Sequence, residues 1–533
     1  MMRSNRPVQQ TTLTPLQPGG GSAAISGMLA GGVALGLGEL AGGLSSRIPS
    51  LVVAIGDVVV DWTPIQAVRK SIEIFGTNDK PALIIGIVVT ALLVASLLGV
   101  VASTRRWVGV AGFIIFGSLG AWAGTRDPMV SDSGAVAVAI AAAAAGIGTL
   151  VLLLDALQNP RAAEASDTHE DPSTPTVDRR RFVTLAAGAA VAGVASAVAG
   201  RLVGAGRNIE AARADVELPT GEQPAIETPK GFSQAEYPGL SPLITPNDDF
   251  YRIDTALSTP QVDPDGWRLR FSGMVDNPYE MSFDELVARS QVEQEITLSC
   301  VSNEVGGNLV GNARWLGVPL QDLLAEAGVQ PGATQVVGES VDGFTVGFPT
   351  SVLDNARPAL VAVGMNGEPL PAAHGFPARL VVSGLYGYVS ATKWLTEVRL
   401  TTLEDFDAYW IPRGWAKQAP IKTQSRIDVP RDGRSLVPGT NAIAGVAWAP
   451  SRDITKVEVQ VDDRPWVETR LGERLSQDSW RQWVYTWDAE PGAHRIRVRA
   501  TDGTGETQTE SIQQPRPDGA TGYHSIDVIV EEV

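Results

Sequence analysis

A chain of 533 residues is longer than one hydrophobic core organises, and 44% hydrophobic residues with 56 glycines make it too apolar for disorder throughout. A formal net charge of −17 rules against a nucleic-acid partner, whose phosphates call for a basic face. The single cysteine, Cys300, excludes an intrachain disulfide.

Residues 1–22 are polar and rich in Pro, Gln and Thr, which predicts a disordered tail. The region 23–204 is predicted to be a membrane portion of about five transmembrane helices, near 23–44, 82–102, 107–124, 134–157 and 182–203. Each approaches the ~20 apolar residues a helix needs to cross the hydrocarbon core. Leu51–Val60 is too short and carries Asp57, so a re-entrant or interfacial segment is expected. Glu39 lies inside the first span, either as a functional acid or close enough to the helix end to reach the headgroups. Arg105, Arg106, Arg179, Arg180 and Arg181 sit at helix ends and set the amino terminus inside. Five crossings then place everything downstream outside the cytoplasm, in a multi-pass plasma-membrane protein. The run Asp178-Arg179-Arg180-Arg181-Phe182-Val183 resembles a twin-arginine export signal or is an ordinary basic anchor, with the same final location. The four histidines, His169, His374, His494 and His524, all lie outside the spans and no CxxCH occurs, so no haem is predicted.

A linker rich in Glu, Pro and Thr is expected over 205–240. The domain 241–420 mixes predicted strands at Trp267–Val275 and Ala378–Ser383 with helices at Ser282–Ala288 and Leu320–Ala327, an α+β pattern. The domain 421–533 offers seven short candidate strands, near 425–430, 440–449, 454–463, 465–471, 481–489, 493–501 and 523–532, which predicts an immunoglobulin-like sandwich. Its row Arg495, Arg497 and Arg499 alternates with Ile496, Val498 and Ala500, as a solvated sheet face does.

The chemistry concentrates at Glu295–Leu324. Ile296–Leu298 reads as a strand that ends at Cys300, followed by a flexible loop containing Asn303, Gly306, Gly307 and Gly311. A thiolate there is a soft donor suited to a transition metal, although a lone cysteine is equally at home as a small buried hydrophobe. Three ordered motifs weigh on that choice. They are Asn312-Ala313-Arg314-Trp315-Leu316-Gly317-Val318-Pro319-Leu320 after Cys300; His374-Gly375-Phe376-Pro377-Ala378-Arg379-Leu380 with Tyr386-Gly387-Tyr388 and Lys393-Trp394-Leu395; and Thr245-Pro246-Asn247 with Phe250-Tyr251. Together they resemble the sulfite oxidase family of molybdenum enzymes, over about residues 240–533.

The resemblance implies a molybdopterin whose dithiolene supplies two sulfurs to molybdenum, with Cys300 as the protein's metal ligand and catalytic thiolate. It implies that Arg379 pairs with the pterin phosphate, that His374 and Lys393 hold the pterin and phosphate, and that Asn247, Phe250 and Tyr251 line the cofactor. Tyr409, followed by Trp410, falls where the family places an active-site tyrosine. The C-terminal sandwich would form a homodimer, with Gly522-Tyr523 similar to the family pattern. One departure stands out: sulfite-oxidising members carry arginines four and five residues beyond the cysteine, whereas this chain has Glu304 and Val305. An acid there repels a dianion, unless Arg314, Arg413 or Lys417 restores the charge. The expectation is a membrane-anchored extracytoplasmic molybdenum oxidoreductase that transfers an oxygen atom to or from a small oxyanion or S-oxide. Electrons would be exchanged with an external partner, a cytochrome or quinone. The alternatives are an S-oxide or N-oxide reductase on the same cofactor, and a cofactor-free binding or adhesion module.

Overall fold

The computed structural model describes residues 19–45, 48, 50–64, 67, 70–71, 74–75, 78–158, 179–206, 209–221, 231–354 and 357–532. It divides into two compact units, Met1–Asn208 and Ile209–Val533. The tail expected over 1–22 lies outside the described residues as far as 18, and Gly20 already belongs to a helix.

The first unit contains helices α1 (Gly20–Leu44), α2 (Leu51–Trp62), α3 (Asp79–Ala102), α4 (Arg106–Gly124), α5 (Asp132–Gln158) and α6 (Arg179–Gly206). Among the described residues, five helices are long and apolar enough to cross a membrane, and α2, with 12 residues, is not one of them. Backbones approach closely where glycines face each other. A Cβ on Gly27 would lie 2.0 Å from the Ala95 carbonyl oxygen, on Gly36 2.3 Å from that of Gly193, and on Gly43 2.1 Å from that of Gly200. Many large apolar side chains face outward, Leu97 at 67% and Val191 at 68% exposure among them, while Phe113, Leu150 and Leu154 are buried in the helical core. The Glu39 carboxylate accepts a 2.5 Å hydrogen bond from Ser50, whose hydroxyl also caps α2 by accepting from the Val53 N–H.

The second unit opens with helix α7 (Ile209–Ala214), inside the segment expected to be linker. Ile209 belongs to the hydrophobic core, and Arg213 bridges Glu210 and Glu368, so this part of the segment is docked. Strands follow as β1 (Arg268–Gly273), β2 (Tyr279–Ser282), β3 (Val292–Ser299), β4 (Val310–Pro319), β5 (Gln335–Ser340), β6 (Thr345–Pro349), β7 (Ala359–Met365), β8 (Glu368–Pro369), β9 (Arg379–Val382) and β10 (Leu395–Thr401). One sheet has the order β2-β1-β10-β5-β6; the other runs β3-β4-β7-β8, with β9 also on β7. Every residue of β7 is buried, as in a strand covered on both faces. Leu320–Ala327 is helical as predicted, because Leu320, Leu323, Leu324 and Ala327 repeat at helical spacing and Gly328, at φ 68°, ends it.

The remaining strands are β11 (Gln424–Val429), β12 (Ser435–Leu436), β13 (Gly439–Trp448), β14 (Ile454–Val461), β15 (Val467–Glu468), β16 (Arg470–Leu471), β17 (Arg481–Ala489), β18 (Gly492–Asp502) and β19 (His524–Val530). They form two sheets, β11-β13-β17-β16 and β12-β19-β18-β14-β15, whose inner faces share a core that includes Ile443, Trp483, Ile496 and Val498. Between β16 and β17 the chain reaches back to the Cys300 strand. The Thr297 N–H donates to the Asp478 carbonyl, and the Trp480 indole N–H to that of Leu243.

Candidate active site

β3 and β4 pair in register from Val292 with Gly317 to Ser299 with Val310, and Cys300 follows at the mouth of that hairpin. The pair Thr297 and Asn312 fixes more than the ladder. Thr297 donates to the Asn312 side-chain oxygen at 2.9 Å, while the Asn312 amide reaches the Leu243 carbonyl and its backbone bonds Thr245 in both directions. The Thr245-Pro246-Asn247 segment is thereby fastened to β4, the strand that follows the cysteine loop, and through Thr297 to the strand that precedes it.

The loop is more constrained than its glycines imply. The Cys300 N–H donates to the Leu309 carbonyl, the Asn303 N–H to the Cys300 carbonyl, and the Asn303 side-chain oxygen accepts the Leu309 N–H. Gly311 belongs to β4 and not to the loop; its missing Cβ makes room for the Phe250 ring, which would otherwise stand 2.8 Å away.

Cys300, Phe250, Tyr251, His374, Arg379 and Lys393 all line one cavity. Phe250 is the hub of its aromatic floor, stacked on Tyr251 at 5.3 Å and edge-on to Trp315 and His374. Asn247 does not line the cavity. Its carbonyl accepts the His374 Nε2–H at 2.9 Å, and its own side chain is held by Glu368 and Asn366. Burial, with Arg379 nearby, lowers the His374 pKa to about 4, so the ring is neutral near pH 7. Tyr409 is also absent from the lining, whereas its neighbour Trp410 is present; the two rings meet edge-on at 5.2 Å.

The charges test whether a molybdopterin fits. Arg379 is 5% exposed, and its Nη1–H donates to the His374 carbonyl at 3.0 Å. Its guanidinium lies over the Trp315 ring at 4.8 Å, and its Nε–H has no hydrogen-bond partner. No carboxylate among the described residues pairs with it, and burial lowers its pKa to about 10. A buried guanidinium of this kind calls for an anion. Lys393, by contrast, pairs with Asp254 and donates to the Ala373 carbonyl at 3.0 Å. Burial pushes the Cys300 thiol up even though the Ser302 N–H donates to its sulfur at 3.4 Å, so a thiolate here requires a cation at Sγ. Among the described residues no group of three or more His, Cys, Asp or Glu is placed to hold a metal, and Cys300 stands as a single soft donor. The cavity meets both demands of a molybdopterin, an anion site and a single soft protein ligand. Burial, with the Cys300 sulfur beside it, also pushes the Tyr251 phenol well up.

None of the cations proposed to replace the missing arginines lines the cavity. Arg314 pairs with the buried Glu295 at 3.1 Å, Arg413 lies over the Tyr409 ring, and Lys417 pairs with Asp407. Glu304 is exposed and outside the lining. Sequence reasoning assigned no role to Ser340, Asp254 or Asp342, which line the cavity; nothing in their local patterns marks them. Trp394 also lines it, left-handed at φ 50° with its indole N–H on the Ala372 carbonyl.

Fold and site thus define a molybdopterin-binding oxidoreductase. The family model described as the oxidoreductase molybdopterin binding domain matches residues 256–410. The chain is 30% identical over 318 residues to human mitochondrial sulfite oxidase, covering 50% of this chain and 58% of that one. To the uncharacterized oxidoreductase YuiH of Bacillus subtilis (strain 168) it is 32% identical over 190 residues, 34% of this chain and 91% of the relative. Among solved structures, the sulfane dehydrogenase SoxCD of Paracoccus pantotrophus aligns with a TM-score of 0.48 and 23% identity, over 55% of this chain and 85% of that one. The chain belongs to the sulfite oxidase family of molybdopterin oxidoreductases, and it spans 58% of the length of the human relative.

Proposed function

We propose that the chain is a membrane-anchored oxidoreductase that exchanges an oxygen atom with a small substrate at a molybdenum bound through Cys300. The observation that carries this reading is the unpaired, buried Arg379 opening on the same cavity as the Cys300 thiol. When bound, the molybdenum cofactor supplies the oxygen-atom and two-electron exchange. Arg379 would hold the cofactor's phosphate, and Lys393, its charge balanced by Asp254, would hold the pterin by hydrogen bonding. Neutral His374, oriented by the Asn247 carbonyl, closes the site beside Arg379 without adding charge. Phe250 and Tyr251 form the wall that excludes water, and Tyr409, packed on Phe344 and Trp410, acts by positioning Trp410.

Five long apolar helices support anchoring in the membrane, and basic residues at helix ends support a catalytic unit outside the cytoplasm, where a cytochrome or a quinone exchanges its electrons. The two facing sheets of 421–533 support an immunoglobulin-like sandwich, and through it a homodimer. A second reading, reduction of S-oxides or N-oxides, is favoured by one observation: Arg314, Arg413 and Lys417 are all engaged away from the cavity.

Molybdenum and pterin analysis of the full chain, purified in detergent from a cofactor-competent host, tests the proposal. About one of each per chain is expected, with molybdenum lost in Cys300→Ser. A well-folded preparation with neither favours the cofactor-free binding module.

A further inference from the structure

The half of the cavity nearer solvent is built for a positive group. Tyr388, Trp415 and Trp410 form a continuous series of rings, with centroids 5.8 Å and 6.5 Å apart. All three line the cavity and are half-buried, as are Phe344 and Asp342. Asp342 has no cation within ion-pair distance among the described residues; one of its oxygens accepts the Phe344 N–H at 3.2 Å, which fixes the carboxylate in the β5–β6 turn. Of the other charged groups in the lining, Lys393 and Asp254 neutralise each other and Arg379 lies against Trp315. The series already holds one of the protein's own cations at its far end, where Arg413 stacks 3.7 Å over Tyr409, the ring behind Trp410.

Aromatic faces attract cations through their quadrupole, most strongly when both are partly desolvated, and a fixed carboxylate adds a charge in the same direction. A dianion meets the opposite balance. We propose that this cavity selects substrates whose non-reacting body is an onium group, a methylated ammonium or sulfonium, held against Trp410, Trp415 and Tyr388 with Asp342 as counter-charge. The proposal rests on the oxide-reducing reading given above and makes Asp342 and Trp410 specificity-determining residues.

Tetramethylammonium, which cannot react, separates binding from chemistry. Calorimetric titration of the full chain in detergent is expected to show saturable tetramethylammonium binding that neither potassium nor sulfate reproduces. Asp342→Asn keeps the oxygen that accepts the Phe344 N–H and removes only the charge; it is expected to weaken binding about tenfold. Trp410→Leu, a variant in a different element, is expected to weaken it similarly. Sulfate binding in place of tetramethylammonium, or tetramethylammonium binding unchanged in both variants, overturns the proposal. Molybdenum and pterin content measured on the same sample judges the cofactor reading separately, so failure of one is not mistaken for failure of the other.

Discussion

The two units use apolar residues in opposite ways. In the helical unit the closest backbone contacts are made at glycine and alanine, such as Gly27, Gly36 and Ala95, a few large side chains such as Phe113 and Leu150 fill the rest of its core, and Leu97 and Val191 face outward. In the catalytic unit the fully buried side chains are the largest available, Trp315, Trp448 and Phe348 among them. On the proposed membrane anchoring, the contrast follows from the surroundings of each unit. Water drives large apolar groups inward, whereas lipid tails offer no such drive, and close backbone packing decides the contact instead. At the glycine contacts a position's importance is therefore read from absence of size, and in the core of the second unit from size.

The largest expected effect lies outside both packing rules. Cys300→Ser should leave the catalytic unit folded, because the side chain sits at a cavity and not in the core, yet reduce turnover to background, since a hydroxyl is a poor replacement for a thiolate at molybdenum. Wild-type rates in that variant would sink the mechanism. Next come the two packing rules. Trp315→Ala should destabilise the catalytic unit by about 3–5 kcal/mol in denaturant titration. Gly36→Leu should lower the thermal midpoint of the detergent-solubilised chain, whereas Leu97→Ala should hardly change it. If Leu97→Ala proves the more damaging of the two, the contrast between the units is wrong.

Arg379→Met sharpens the comparison at the site itself. Replacing a buried, unpaired guanidinium by an apolar chain of similar length removes a desolvation cost, so the cofactor-free protein should become more stable by about 1–3 kcal/mol. The same variant should lose retained pterin on desalting. A loss of stability without cofactor would mean that Arg379 is structural.

Much of this was readable in the chain. The apolar runs form long helices as expected, and the alternation of Ile496, Val498 and Ala500 states its environment directly, because each pattern repeats along one element. The cysteine, His374, Arg379 and Lys393 were recognisable from ordered motifs, and they do converge on one cavity. What could not be read was set by contacts across long sequence separations. Gly311 looks like a loop residue until Phe250 is seen against it, and Arg314 looks like a substrate cation until Glu295 is seen to hold it. Tyr409 and Trp410 are adjacent in sequence, and only the fold turns the second one into the cavity.

Acid should distinguish the second unit from the long apolar helices of the first, which contain no histidine. His524, at the start of β19, accepts the Ile427 N–H on Nδ1 at 2.9 Å, and burial with Arg426 nearby lowers its pKa to about 4. Below the ordinary imidazole pKa of about 6.5 the unfolded chain takes a proton that the fold refuses. Stability is therefore full above that pH, falls as pH drops toward 4, and loses up to about 3 kcal/mol in all. His524→Asn, which keeps an acceptor for Ile427, should flatten the fall between pH 7 and pH 5; an unchanged slope would assign the acid sensitivity elsewhere.

The smallest effect belongs to the arginine row on β18. Arg495 pairs with Asp527 at 2.8 Å, but both side chains are 64% exposed. Their attraction is screened by water and salt, and each must give up side-chain freedom to hold the geometry. Arg495→Ala should thus leave the denaturation midpoint unchanged within the scatter of ordinary surface substitutions. The inward neighbour gives the contrast within a single strand. Ile496 is fully buried, and Ile496→Ala should destabilise by about 2–5 kcal/mol. Were Arg495→Ala to approach that cost, or to disperse a dimer seen by sedimentation, the arginine face would be a contact surface and not a solvated one.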